Sequence, residues 1–171
     1  MHPTRKRNRL KDYDYSLKGL YFVTSCVQDM ACCFGKIVDD KMVLNACGKI
    51  ADRQWHWLAQ QYPYLVLHSF VVMPNHMHGI IQIVNTGNNV SHEQPAIKIK
   101  SISELMGAYK TTSSKQIHLL PEADRAQCLK TSFKWQRSFH DHIIRDELSF
   151  LNISYYIENN PVNWKGDKFY A

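Results

Sequence analysis

Hydrophobic and polar positions along the chain follow two different periods, which predict a protein that mixes strands with helices. Pro74-Asn75 separates two long apolar segments, so we expect a turn there and antiparallel pairing of the strands on either side. Other segments rich in β-branched and aromatic residues also favour strands. The predicted strands cover residues 20–27, 42–43, 64–73, 76–84 and 131–144, the last with irregular edges.

Apolar residues at helical spacing predict three helices. The first runs over 45–61. The second begins after Ser101, which forms a capping-box pattern with Glu104. The third follows an Asp146 cap and extends to about residue 160, where a proline ends it.

The order of these elements is strand, helix, strand, strand, helix, strand, helix. Helices that interrupt a mostly antiparallel central sheet and pack on it predict an α+β fold of the ferredoxin-like (RRM-like) kind. Residues 85–95 are polar and predict a loop, and 116–130 form a long polar connection.

Composition and charge narrow the class of protein. The chain has 171 residues, 44% of them hydrophobic, so we expect one globular domain over 1–171, with 1–15 as a basic N-terminal arm. The formal net charge of +6 favours a polyanionic partner, although a solvated basic surface would give the same value.

No signal peptide is predicted, because residues 1–15 are basic and polar and contain no apolar core. No membrane span is predicted, because no segment approaches the roughly 18 apolar residues that a span requires. We therefore expect a soluble, cytoplasmic protein with no membrane partner. The five cysteines lack the spacing of a zinc ribbon and predict free thiols.

His76 and His78 are the first candidates for chemistry. Side chains alternate between the faces of a strand, so both imidazoles project from one side while Met77 points to the other. Two imidazoles could share one metal ion but would leave its coordination incomplete. Histidines at this spacing also occur as simple hydrogen-bonding groups at a sheet edge.

Tyr156 and Asn160 are four residues apart and share a face of the last predicted helix. A tyrosine hydroxyl can act as a covalent nucleophile, and an amide oxygen is a hard ligand suited to Mg²⁺ or Mn²⁺. An ordinary structural role is the alternative at this point: Tyr155 and Tyr156 could be core or interface residues, and Asn160 could cap the helix.

Three ordered blocks between about residues 20 and 161 resemble the REP-associated tyrosine transposase branch of the single-tyrosine HUH transposases. PNHMHG at 74–79 resembles the His-hydrophobic-His motif that names the HUH proteins. WQRSFHDHIIR at 135–145 resembles the branch's Trp-Gln and Asp-His-x-Ile-Arg block. YIENNP at 156–161 resembles its Tyr-Ile-x-x-Asn-Pro signature.

The resemblance implies an HUH endonuclease fold with Mg²⁺ or Mn²⁺, and cleavage of single-stranded DNA beside a hairpin through a 5′-phosphotyrosine intermediate. It implies His76, His78 and Asn160 as metal ligands. Tyr156 would be the nucleophile, with Tyr155 as its main competitor.

The expected DNA contacts are less specific. Lys110 lies where the family often has a lysine, and basic residues with stacking aromatics would hold the strand. These candidates are Lys110, Arg137 and Arg145, with the aromatics Trp135, Phe139 and Trp164. A core role for Trp135 is the favoured alternative.

Four alternatives of function and assembly stay open. A domesticated relative would bind hairpin DNA without cutting it, and a rolling-circle initiator or relaxase would use a similar site. An RRM-type RNA-binding protein would share the sheet topology but would place aromatics where this chain has histidines. Relatives occur as monomers and as dimers, so a homodimer also stays open.

Overall fold

The structure, a computed structural model, describes residues 13–84, 98–128 and 132–170. The strands are β1 (Gly19–Cys26), β2 (Gly35–Val38), β3 (Lys41–Leu44), β4 (Leu65–Val72), β5 (His76–Ile83) and β6 (His140–Ile144). The helices are α1 (Ala46–Gln61), α2 (Ile102–His118), α3 (Glu122–Cys128) and α4 (Glu147–Glu158), with 3₁₀ turns at Gln28–Met30 and Trp164–Gly166.

Four strands form the central sheet in the order β4-β5-β1-β6, and every neighbouring pair is antiparallel. β2 and β3 form a separate two-stranded hairpin. The predicted α+β, ferredoxin-like fold of the HUH kind is confirmed. β5 and β1 occupy the two central positions, so the histidine motif lies on an internal strand.

The two faces of the sheet are covered by different helices. Met77 and Ile81 point into the larger core with α1 and α2, which includes Trp55. Gly79 lies against this core, where a Cβ atom would overlap the indole ring of Trp55. Residues whose side chains point to the other face of the sheet, such as Ile80, form a smaller cluster with α4.

Each long helix begins at a side-chain cap, and the caps of α2 and α4 are the ones that the sequence predicts. Asn45 Oδ1 accepts from Gly48 N at 3.0 Å, at the start of α1. Ser101 and Glu104 form the predicted capping box of α2. Asp146 Oδ1 accepts from a backbone N–H of the first turn of α4 at 2.8 Å. These caps satisfy donors that have no partner within the helix.

The observed elements differ from the predicted ones at several places. Of the strand predicted over 131–144, only β6 is regular, because Phe133 and Trp135 turn into the core ahead of it. β2 and α3 are additional, and α3 lies within the segment expected to be a polar connection. The predicted loop over 85–95 and most of the N-terminal arm lie outside the described residues.

No helix among the described residues is long and apolar enough to cross a bilayer. All five cysteines are free thiols, and four of them are buried.

Candidate active site

The two motif histidines lie side by side on β5. His76 is opposite Cys26 and His78 is opposite Thr24 on β1, which places both rings on the α4 side of the sheet. Both side chains are buried, and their Nε2 atoms are 3.0 Å apart. The prediction that the two imidazoles share a face and can reach one ion is consistent with this geometry.

Hydrogen bonds on the far side of each ring fix its orientation. Asn75 Nδ2 donates to backbone oxygens of Met30 and Phe169, so its Oδ1 faces His76 Nδ1 and accepts from it at 2.8 Å. His78 Nδ1 is 2.7 Å from Thr24 Oγ1. An imidazole whose Nδ1 carries the proton leaves Nε2 with a free lone pair.

Burial keeps both imidazoles neutral. Desolvation lowers the pKa of His76 to about 4, against a partly opposing effect of the Asp167 carboxylate. Desolvation, with a smaller contribution from His76, lowers the pKa of His78 well below its ordinary value. Neutral imidazole is the form that binds metal, so the pair can act as ligands at neutral pH.

Tyr156 reaches this pair from α4. Its hydroxyl oxygen is 3.2 Å from His78 Nε2, and it donates to Asp167 Oδ2 at 3.1 Å. Burial, followed by the neighbouring Asp167 charge, raises the pKa of Tyr156 to about 12. Tyr155 points away and is 69% exposed.

Asn160 lies beyond the end of α4, in the turn that follows. It is buried, and its Nδ2 donates to Asp167 Oδ2 at 2.8 Å. Its Oδ1 is buried with no hydrogen-bond partner. An unpaired buried carbonyl costs free energy, which makes this oxygen a natural acceptor for a ligand.

Asp167 is the site residue that the sequence analysis missed. Its carboxylate lies with His76 and His78 in a cluster whose ligand atoms are all within 4.8 Å of one another. The 3₁₀ turn Trp164–Gly166 brings it back to α4. Asp167 falls outside the three motif blocks, so no local pattern singles it out.

The donor set fits a divalent cation. Two imidazole nitrogens and a buried amide oxygen without a partner are ligand types that Mn²⁺ accepts, and the oxygen also suits Mg²⁺. His76, His78 and Asn160 would hold the ion, with a carboxylate close enough to balance part of its charge.

The C-terminal segment covers the histidine pair. The ring of Phe169 lies 4.5 Å from the ring of His76 and 5.7 Å from that of His78, measured between centroids. Trp164 lies 6.0 Å from His76. The two histidines are no more than 1% exposed, and the rings of Phe169 and Trp164 contribute to this cover.

The other predicted DNA contacts are distributed unevenly. Lys110 Nζ donates to the backbone oxygens of Gln136 and Ser138, both at 2.9 Å, and so supports the loop before β6. Arg137 and Arg145 are exposed.

The three aromatic candidates for base stacking, Trp135, Phe139 and Trp164, are all buried. Trp135 Nε1 donates to Ser113 Oγ at 2.9 Å inside the core, which agrees with the structural alternative for this residue.

An antiparallel sheet of this order, with a His-hydrophobic-His pair on an internal strand beside a flanking helix, defines an HUH-type fold. Among solved structures, a REP-associated tyrosine transposase bound to a REP hairpin superposes with a TM-score of 0.57 at 19% identity. The match covers 91% of this chain and 73% of that one. This likeness concerns the fold.

Two relatives in sequence point to the same family. An uncharacterised protein of Haemophilus influenzae is 34% identical over 98% of this chain and 93% of its own length. A second protein of that organism, named "Putative REP-associated tyrosine transposase", is 27% identical over 87% of this chain and 73% of its own length. No family model matches the chain. The chain belongs to the REP-associated tyrosine transposase branch of the single-tyrosine HUH transposases.

Proposed function

We propose that the protein is a metal-dependent endonuclease and strand transferase that cuts single-stranded DNA beside a hairpin. The observation that carries the proposal is the position of the Tyr156 hydroxyl, 3.2 Å from Nε2 of His78 and bound to the same Asp167 oxygen as the amide of Asn160. The solved relative bound to a REP hairpin supports hairpin DNA as the substrate class.

Tyr156 would be the nucleophile. Its oxygen forms a bond to phosphorus while the bond from phosphorus to the 3′-oxygen breaks, so the 5′-phosphate stays on the tyrosine and a 3′-hydroxyl is released. Asp167 Oδ2 already accepts the hydrogen bond of the attacking hydroxyl and would take its proton. A later attack by a 3′-hydroxyl on the phosphotyrosine rejoins the strand without another energy source.

The high pKa of Tyr156, about 12, means that the hydroxyl is protonated at rest. A divalent ion, when bound by His76, His78 and Asn160, would polarise the scissile phosphate as a Lewis acid. The residues of the chain supply the rest: the fixed imidazoles would hold the ion in place and Asp167 would receive the proton.

Covalent capture tests this proposal. The protein is incubated with a hairpin that carries a single-stranded extension, with Mn²⁺ or with EDTA, and a denaturing gel shows any protein-DNA adduct. We expect an adduct with Mn²⁺, none with EDTA and none for Tyr156→Phe. Tyr155→Phe is the matched control, because Tyr155 is its neighbour on α4 but points away from the site, and it should retain the adduct. An adduct that survives in Tyr156→Phe would refute the assignment.

A non-cleaving hairpin-binding protein is the second candidate, and the position of Phe169 over the histidines favours it. Such a protein would bind the hairpin with the same affinity in the presence of Mn²⁺ or EDTA and would form no adduct. Gel-shift and adduct assays on one DNA therefore distinguish the two functions.

A further inference from the structure

One carboxylate oxygen in the site serves two functional side chains. Asp167 Oδ2 accepts from the Tyr156 hydroxyl at 3.1 Å and from Asn160 Nδ2 at 2.8 Å. Its other oxygen, Oδ1, accepts from the backbone N–H of Phe169 at 2.7 Å. The carboxylate is therefore bound on both oxygens by donors of the chain itself.

The hydrogen bonds that each oxygen already accepts indicate which of the two residues is the better candidate for a metal ligand. A carboxylate oxygen accepts about two hydrogen bonds, so Oδ2 of Asp167 is fully used by its two donors and Oδ1 is partly used by Phe169 N. Asn160 Oδ1, by contrast, has no partner and is buried. The atom with no partner at all is thus the amide oxygen, while the carboxylate holds the NH₂ group of the same amide.

We propose that Asp167 is a positioning residue that fixes the amide of Asn160 so that its oxygen is free to bind the divalent ion. This inference rests on the proposed function. A carboxylate can only accept, so it holds the NH₂ group and excludes the flipped amide, which would present that NH₂ group to the cation. Toward the metal ion, Asp167 acts through Asn160 and is not itself a ligand; its contact with the Tyr156 hydroxyl is a separate role.

The turn that carries Asp167 is well supported, as a positioning role requires. Asn163 N donates to Asn159 O and Asp167 N donates to Trp164 O, both at 3.1 Å. These bonds tie the turn to the end of α4, the helix that carries Tyr156. Partners that orient a metal ligand in this way typically change metal affinity 10- to 100-fold when they are removed.

The test is a double-mutant cycle on Mn²⁺ affinity, measured by titration calorimetry on the full-length protein without DNA. The variants are Asn160→Ala, Asp167→Ala and the double variant. We expect each single change to weaken Mn²⁺ binding about 10- to 100-fold. The double variant should bind like Asn160→Ala, because Asp167 has no amide left to orient.

Two further variants serve as controls, one for the hydrogen bond to Asn160 and one for the removal of a negative charge. Asp167→Asn keeps an oxygen that can accept from Asn160, so it should bind Mn²⁺ more tightly than Asp167→Ala. Asp52→Ala removes a partly exposed acid from α1 and is the control for removing a negative charge. Urea midpoints in EDTA, measured for every variant, give the folded fraction used to normalise each titration.

The possible results separate this inference from the proposed function. If the effects of Asn160→Ala and Asp167→Ala multiply in the double variant, Asp167 binds the ion directly and the positioning role is wrong. If Asp167→Ala binds Mn²⁺ as tightly as the wild type while Asn160→Ala does not, the role is also wrong but the metal site stands. If the wild type binds no Mn²⁺, both the inference and the metal-dependent function fail.

Discussion

Acidification from pH 7.5 to pH 5.0 should destabilise the protein through its two buried histidines. Burial lowers the pKa of His76 to about 4, whereas an unfolded histidine titrates near its ordinary value of about 6.5. Below pH 6.5 the unfolded state therefore binds a proton that the folded state does not. Stability falls as the pH drops through 6.5 and levels off below the folded value of about 4.

The size of the effect follows from these two pKa values. For one such group, proton linkage gives a loss of about 2 kcal/mol in the free energy of unfolding between pH 7.5 and pH 5.0. His78 contributes in the same direction, because its pKa is also lowered by burial. With a urea slope of about 2 kcal/mol per molar, His76 alone should move the midpoint by about 1 M.

Urea denaturation in EDTA, followed by circular dichroism at the two pH values, measures this loss. His76→Phe removes the titrating group and keeps an aromatic ring next to Trp164 and Phe169. Between the two pH values, its free energy of unfolding should therefore fall by about 2 kcal/mol less than that of the wild type. His56→Phe, on the exposed side of α1, is the control for exchanging a histidine for phenylalanine. Equal losses in the wild type and His76→Phe would refute the reasoning.

Three other predictions concern packing, ring orientation and access. Gly79→Ala should lower the free energy of unfolding by about 1–3 kcal/mol in urea, because its methyl group would overlap Trp55, and an unchanged midpoint would contradict this packing. Thr24→Val should weaken Mn²⁺ binding in calorimetry about 10-fold by releasing the His78 ring, and wild-type affinity would contradict it. Phe169→Ala should speed the formation of the DNA adduct, since the ring covers the histidines, and a slower rate would contradict a covering role.

The sequence predicts the fold well where a pattern is local. The starts of α2 and α4 follow from single side chains, and Ser101 and Asp146 each accept the expected backbone hydrogen bond. The strand over 131–144 is predicted poorly, because Phe133 and Trp135 alternate like strand residues yet pack into the core without a continuous ladder. Tertiary packing decides such a segment, and local propensity cannot reveal it.

The residues of the candidate site can likewise be predicted where they follow a local pattern, and not where the tertiary fold brings them together. His76 and His78 can be placed together from strand periodicity, and Tyr156 with Asn160 from helix spacing. Asp167 could not be found, because only the turn after α4 brings it to Tyr156. The position of Phe169 over the histidines likewise depends on how the segment after α4 folds, and no sequence pattern indicates it.

The strand that carries the two histidines and the helix that carries Tyr156 differ in how completely they are packed. The histidines lie on β5, which is paired along its length with β1 and along most of it with β4, so their positions are fixed by the centre of the sheet. By contrast, α4 buries Ile157 fully but leaves Leu148 and Leu151 exposed. Elements with few buried contacts open at lower free energy than core strands. The proposed nucleophile would carry a DNA strand during transfer and is better placed on such a helix, whereas the proposed histidine ligands of the metal ion would require the rigid strand.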